Sequence, residues 1–297
     1  ILVSISLTQT LRDGLGDLNS DDSINILDVI LVMNYIIDVG ESFTDYQMWA
    51  ADVNQDGNIN VLDIIQIVNV ILGLDIFENY PIEVLFIGNS YTSYNGGIYT
   101  HVEALVTEAH PQWEPNISAI VQGGATLQMH WNNETTRETI SSGGWDIVVL
   151  QEQSTRPIEN PDLMFIYGEL LGALITESGA EPMLFMTWPR EWAPETIEQL
   201  DESYSHLGQL IQAEIAPVGR AWELSYLTDG NMNLYASDGS HPNAYGTYLA
   251  SCVFYGAIYD ETPVGLTYGI IPDMTIAERV FLQEISWQAL LDYQGEE

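Results

Sequence analysis

Residues 82–90 read Ile82-Glu83-Val84-Leu85-Phe86-Ile87-Gly88-Asn89-Ser90, an apolar run that ends abruptly in a Gly-Asn-Ser turn. An uninterrupted run of this kind is the mark of a parallel strand buried on both faces, and it predicts a strand over 84–87. Ser90 then falls at the turn into the next helix, where backbone N–H groups and the helix dipole favour negative charge. Far along the chain stands Asp238-Gly239-Ser240-His241-Pro242-Asn243, with a carboxylate three residues before a histidine. A serine hydroxyl is a weak nucleophile until an imidazole takes its proton, and the imidazole needs an acceptor to fix its tautomer. Ser90, Asp238 and His241 supply these three parts. Each piece also has a plain structural reading: a simple turn after a strand, and Asp238 or Ser240 capping a helix that starts near Pro242.

Between and beyond these blocks, strand and helix patterns alternate. Further strands are expected at 117–121, 147–150, 183–186 and 218–221, with helices near 97–109, 126–140, 161–178, 194–215, 242–258 and 275–293. Such alternation predicts a parallel sheet covered on both faces, with a site beyond the carboxyl ends of its strands.

The two blocks together resemble those of the SGNH (GDSL-like) hydrolases, whose first block carries a serine nucleophile and whose last carries Asp-x-x-His. The resemblance covers most of 82–260. It implies a flavodoxin-like three-layer α/β/α fold for a domain spanning 82–297, with Ser90 as nucleophile, His241 as base and Asp238 as its orienting acid. A tetrahedral oxyanion needs donors aimed where its charge develops. Ser90 N–H is one, and Gly124 is chosen over Gly123 in Gln122-Gly123-Gly124-Ala125-Thr126 by resemblance to the family's second block. The third block departs from the family: Gln151-Glu152-Gln153-Ser154 stands where many members have Gly-x-Asn-Asp. Aligning the strand ends puts Gln153 at the Asn position, where its amide can donate with one more methylene of reach. Gln151 is the competing assignment. Some sugar-directed acetylesterases of this superfamily also carry Gln in this region.

Residues 17–73 contain a duplication. Asp17-Leu-Asn19-Ser-Asp21-Asp-Ser23-Ile-Asn25-Ile-Leu-Asp28 repeats, 35 residues on, as Asp52-Val-Asn54-Gln-Asp56-Gly-Asn58-Ile-Asn60-Val-Leu-Asp63. Calcium takes hard oxygens from fixed positions of a twelve-residue loop. The spacing selects Asp17, Asn19, Asp21, Ser23 and Asp28 in the first copy and Asp52, Asn54, Asp56, Asn58 and Asp63 in the second. A helical pattern follows each loop, and Gly73 marks the end of the second. A solvated acidic turn repeated by chance is the alternative. The unit, set at 13–75 with a linker at 76–81, resembles a dockerin, the duplicated calcium module that docks onto cohesin domains. Structural calcium and a cohesin-like partner are what the resemblance implies, with recognition near Ile26-Leu27 and Val61-Leu62. Asp22 stands where the second loop has Gly57, so the first loop should be the weaker site.

Acidic side chains outnumber basic ones 43 to 6 in 297 residues, every basic residue is Arg, and the net charge is −37. That balance argues against nucleic acid and anionic membrane as partners. It suits solubility at high ionic strength, where the Debye length falls to ~3–10 Å, and a salt-tolerant source is expected. Cys252, alone, excludes an internal disulfide framework and reads as core. The apolar opening Ile1 to Thr8 is too short to span a bilayer; it reads as a signal-peptide remnant over 1–12 or as a short strand. No other stretch reads as a membrane helix, and a secreted protein is expected.

Other residues have open readings. His130 could line the cleft or simply pack, and Trp131, Trp188 and Trp192 could stack on sugars or fill the core. Arg156 and Arg190 follow strand ends, where a cation can hold an acidic substrate group. The leading reading is a secreted serine esterase removing acyl groups, most of all acetyl, from carbohydrate. The competing ones are a catalytically silent domain in a binding component, and a lipase or thioesterase.

Overall fold

Five strands, β1 (Glu83–Gly88), β2 (Asn116–Val121), β3 (Ile147–Leu150), β4 (Glu181–Phe185) and β5 (Glu214–Ala216), pair in parallel in the order β2-β1-β3-β4-β5. The computed structural model describes residues 14–21, 23–39, 42–53, 57–72, 83–111 and 113–295. The expected leader, Gly73 and the linker lie outside these residues. The chain divides into two compact units, 1–79 and 80–297.

In the N-terminal unit three helices, α1 (Ile26–Ile36), α2 (Asp45–Ala51) and α3 (Val61–Ile71), close on a small core of Leu18, Val29, Val32, Ala50, Ala51, Val53 and Ile67. Helices α1 and α3 each open with a capping box. Asn25 and Asn60 are the caps, and the reciprocal acids are Asp28 and Asp63, the last carboxylates of the two loops. The sequence pattern anticipates α1 and α3 but not α2, which is too short to show a period.

In the second unit the helices are α4 (Ser90–Ser93), α5 (Ile98–Ala109), α6 (Leu127–Asn132), α7 (Glu134–Ser141), α8 (Arg156–Glu159), α9 (Pro161–Glu177), α10 (Ile197–Ile211), α11 (Val218–Thr228), α12 (Ala244–Tyr259) and α13 (Ile276–Gln294). Strand β1 shows why its run is unbroken. Val84 and Phe86 face a core built with α5, α11, α12 and α13, while Leu85 and Ile87 face another built with α6, α7, α9 and α10. The result is the expected three-layer α/β/α fold with a parallel sheet, and its chain order reverses between β1 and β3. That switch point opens a crevice beyond the strand ends.

Two expectations need correction. The strand expected at 218–221 is the first turn of α11, and β5 lies just before it at 214–216. Pro217 cannot donate to a ladder and ends the strand, and Gly219 N–H turns back to Met186 O at 3.0 Å. The helix expected at 126–140 is two helices, broken at Asn133, whose side chain caps α7. Cys252 is buried, as expected. Among the described residues no helix is long and apolar enough to cross a membrane.

Candidate active site

Strand β1 ends in a glycine because there is no room for more. A Cβ on Gly88 would lie 2.3 Å from Thr92 Oγ1 and 2.7 Å from Gln151 Oε1. The chain then bends through Asn89, which is buried and ties three segments together. Its N–H donates to Gln151 Oε1 at 2.9 Å, its Nδ2 to Ala125 O at 2.9 Å, and its Oδ1 accepts from Tyr91 N–H at 3.0 Å. Ser90 is thereby set at the first position of α4. His241 Nε2 lies 2.9 Å from Ser90 Oγ, and His241 Nδ1 lies 2.5 Å from Asp238 Oδ2. The other carboxylate oxygen of Asp238 accepts the N–H groups of Ser240 and His241, at 3.0 and 2.9 Å. The bond from His241, then these two, hold the Asp238 carboxyl down at about 2 although it is exposed. Asp238 is therefore not the helix cap that the plain reading allowed; Asn243 caps α12.

The imidazole is gripped by rings and loops as well. Tyr94 stacks on it at 4.6 Å between centroids and Tyr91 meets it edge-on at 5.6 Å. Tyr91 in turn stacks on Trp188 and bonds Ser240 Oγ through its hydroxyl at 2.8 Å. Asn95 Nδ2 donates to Pro242 O at 3.0 Å, one residue past His241. None of these supports carries a motif; only proximity in the fold identifies them.

Around Ser90 opens a cleft of about 330 Å³, lined by Asn89, Ser90, Tyr91, Gly124, Gln153, Ser154, Arg190, Asp238, Ser240 and His241. All five residues expected in the reaction centre meet here. Gly124 borders the cleft at φ +68°, whereas Gly123 does not line it. Gln153 also lines it. Its Oε1 accepts from Thr155 and Arg156 N–H, leaving Nε2 with one long contact, 3.4 Å to Ser154 Oγ. Gln151 lies fully buried beneath the turn, with Oε1 engaged by Asn89 and Thr92 and Nε2 by Glu152 O. Geometry thus sets Gln153, not Gln151, against the cleft.

Between them Glu152 is buried, and burial pushes its carboxyl up to about 7, against the pull of Gln153 and Leu127 N–H and of Arg156. Its Oε1 bonds Leu127 N–H at 3.2 Å and Gln153 N–H at 2.6 Å, so it joins the loops after β2 and β3. His130 takes the packing role: it is buried, and Nε2 lies 2.9 Å from Gly88 O. Trp188 is core and Trp131 partly so, while Trp192 is 65 % exposed.

The two repeated loops are described in part, because Asp22, Asn54 and Asp56 lie outside the described residues. In the first, Asp17 and Asp28 are buried, and Asp28 accepts from Leu18, Asn19 and Asn25 N–H. Asn19 and Asp21 bond each other and Ser23 N–H bonds Asp21. In the second, Asp63 is buried and bonds Val53 and Asn60 N–H, while Gly57 takes φ +82° and gives its N–H to Asp52. Asn58 follows it in the loop. Among the described residues no three acidic side chains gather into a closed metal cluster. The donor set nevertheless fits a hard divalent cation: it is all oxygen, its end carboxylates are buried, and no Lys or Arg occurs between 14 and 72 to balance them.

Comparison with known proteins agrees with both halves. Residues 15–72 match the dockerin type I domain. Among solved structures, a proposed SGNH hydrolase from Slackia heliotrinireducens is 24% identical, with TM-score 0.52, over 60% of this chain and 98% of that one. A DUF4886 family protein from Bacteroides uniformis ATCC 8492 is 16% identical, with TM-score 0.56, over 73% of this chain and 97% of its own. An acetyl xylan esterase, AlAXEase, is 13% identical, with TM-score 0.51, over 60% of this chain and 100% of that one. No curated protein matches the chain. The chain thus joins a dockerin type I domain to a domain with the fold of the SGNH hydrolases.

Proposed function

We propose that the second unit is a serine esterase that removes acyl groups, chiefly acetyl, from carbohydrate. The observation that supports it is the continuous chain from Ser90 Oγ to His241 Nε2 and from His241 Nδ1 to Asp238. Ser90 Oγ attacks the ester carbonyl as its proton passes to His241 Nε2. Asp238, ionised at all working pH values, stabilises the imidazolium. The oxyanion is received by Ser90 N–H, the Gly124 backbone and Gln153 Nε2, whose weak existing contact leaves it available. His241 then returns the proton to the leaving sugar oxygen, and water repeats the sequence on the acyl-enzyme. The carboxyl ends of the adjacent strands β1 and β3 bring Ser90 and Gln153 to the same cleft.

The N-terminal module serves as a tether. Its loop residues, Asp17, Asn19, Asp21, Ser23 and Asp28 with Asp52, Asn54, Asp56, Asn58 and Asp63, would hold calcium, which supplies the charge that lets buried carboxylates coexist. Ile26, Leu27, Val61 and Leu62 are each more than half exposed at matching positions of the two repeats, a pattern suited to a cohesin-like partner. Such tethering belongs to a secreted, polysaccharide-degrading setting. Hydrolysis of 4-nitrophenyl acetate with Ser90→Ala as control tests the enzyme; equal rates for both proteins would remove it.

A further inference from the structure

Arg190 follows β4 and lines the same cleft as Ser90 and His241. The chain carries 43 acidic side chains for six arginines. Among the described arginines Arg220 alone forms ion pairs, with Glu198, Asp201 and Glu223. Arg190 forms no ion pair among the described residues, although Glu191 is its neighbour in sequence. Its Nε is buried with no hydrogen-bond partner, and its Nη2 donates to a neutral acceptor, Ser154 Oγ, at 2.9 Å. The guanidinium also lies over the Trp192 ring, 5.5 Å from its centroid. That ring is exposed, and a Cβ placed on Gly239, inside the Asp238–His241 loop, would come within 3.0 Å of it. A fixed cation and an open aromatic face therefore border the reaction centre together.

Ester hydrolysis on a neutral sugar leaves the guanidinium without a charged partner. A planar guanidinium with an unused N–H matches a carboxylate, and an open indole matches the C–H face of a pyranose ring. We infer that the substrate is an acylated acidic sugar, a uronate unit, whose carboxylate is held by Arg190 and whose ring lies on Trp192. The inference rests on the esterase reading above. In a chain of net charge −37 an anionic polymer would otherwise be repelled, and Arg190 offsets that field at the one place where the substrate must sit.

The test compares two esters that differ only at C6, methyl galactopyranosiduronate and methyl galactopyranoside, each acetylated at the same hydroxyl, with 4-nitrophenyl acetate alongside. The full chain should favour the uronide in kcat/KM, mainly through KM, and the preference should shrink in 1 M salt. Arg190→Gln should lower the uronide-to-galactoside ratio by about 10- to 100-fold, the scale of one or two charge-assisted hydrogen bonds. Arg190→Lys should restore part of it, since the charge returns without the fork. Absence of a uronide preference, or an equal loss on both sugars in Arg190→Gln, overturns the inference while leaving the esterase reading intact. Failure to hydrolyse any of the three esters above the Ser90→Ala background removes both.

Discussion

Ser90 Oγ stands at one end of a two-bond relay, and each link can be cut singly. Ser90→Ala or His241→Ala should each lower ester hydrolysis by ~10⁴–10⁶, with the double variant little worse, because triad members act as a unit. Steady-state kinetics checks this; retention of more than a few per cent of activity by Ser90→Ala would assign the nucleophile elsewhere. Gln153→Ala should lower kcat by ~10²–10³ at nearly constant KM, as an oxyanion donor acts in the transition state. Gln151→Ala should act differently: it strips acceptors from Asn89 and Thr92 in the interior and should cost about 1–3 kcal/mol of stability, read by urea unfolding. Glu152 brings a pH dependence. Its folded pKa, about 7, lies above the ordinary 4.5, so the fold binds its proton more tightly than the unfolded chain does. The stability it contributes is complete below pH 4.5 and is lost as pH rises through 7, a change of up to about 3 kcal/mol. Glu152→Gln should escape that loss, so its urea midpoint should gain on the wild type between pH 5 and 8. Parallel pH curves for the two proteins would contradict the raised pKa.

At the scale of elements, the turn from β1 into α4 and the two repeated loops are places where backbone geometry constrains side chains. The second loop has Gly57 at φ +82°, and at the matching position the first has Asp22, which lies outside the described residues. Only the glycine accepts that conformation without a Cβ clash. Calcium should therefore bind the second loop more tightly, and Asp63→Ala should reduce the calcium-induced stabilisation more than Asp28→Ala. Calorimetric titration of the two variants decides it, and equal losses would remove the ranking. The corrected elements show where short patterns fail. Ile215 to Ala221 is apolar enough for either a strand or a helix, and only Pro217 between them says that it is both in succession. Asn133 likewise splits a periodic stretch because its side chain prefers capping to continuing the helix.

For the whole molecule, the two units should respond separately to chelation. Among its described residues the N-terminal unit has a core cluster of seven buried apolar side chains, too few to offset chain entropy unaided. A cation bound only by the folded form adds about 4 kcal/mol at a thousandfold excess over Kd. EDTA should abolish one calorimetric transition while leaving the other, and the proposed esterase activity, in place, since the proposed relay of Ser90, His241 and Asp238 uses no metal. A single transition unaffected by EDTA would refute calcium-dependent folding of the module.

The sequence alone determined what local chemistry carries: the duplicated loops through their invariant oxygen spacing, the buried β1 through its unbroken apolar run, and the Ser, Asp and His blocks through their placement at strand and helix ends. Those signals span a few residues each and survive without neighbours. Tertiary structure decided everything that depends on two distant segments meeting. It turned Gln151 inward and Gln153 to the cleft, a choice made by which amide could pair with Asn89 from the adjacent strand. It stacked Tyr94 on His241, made His130 a packing residue, and left Arg190 without a carboxylate beside an exposed indole. Side-chain direction and pairing arise from packing across the sheet, where residues some sixty or a hundred and fifty positions apart become neighbours, and no local pattern encodes that proximity.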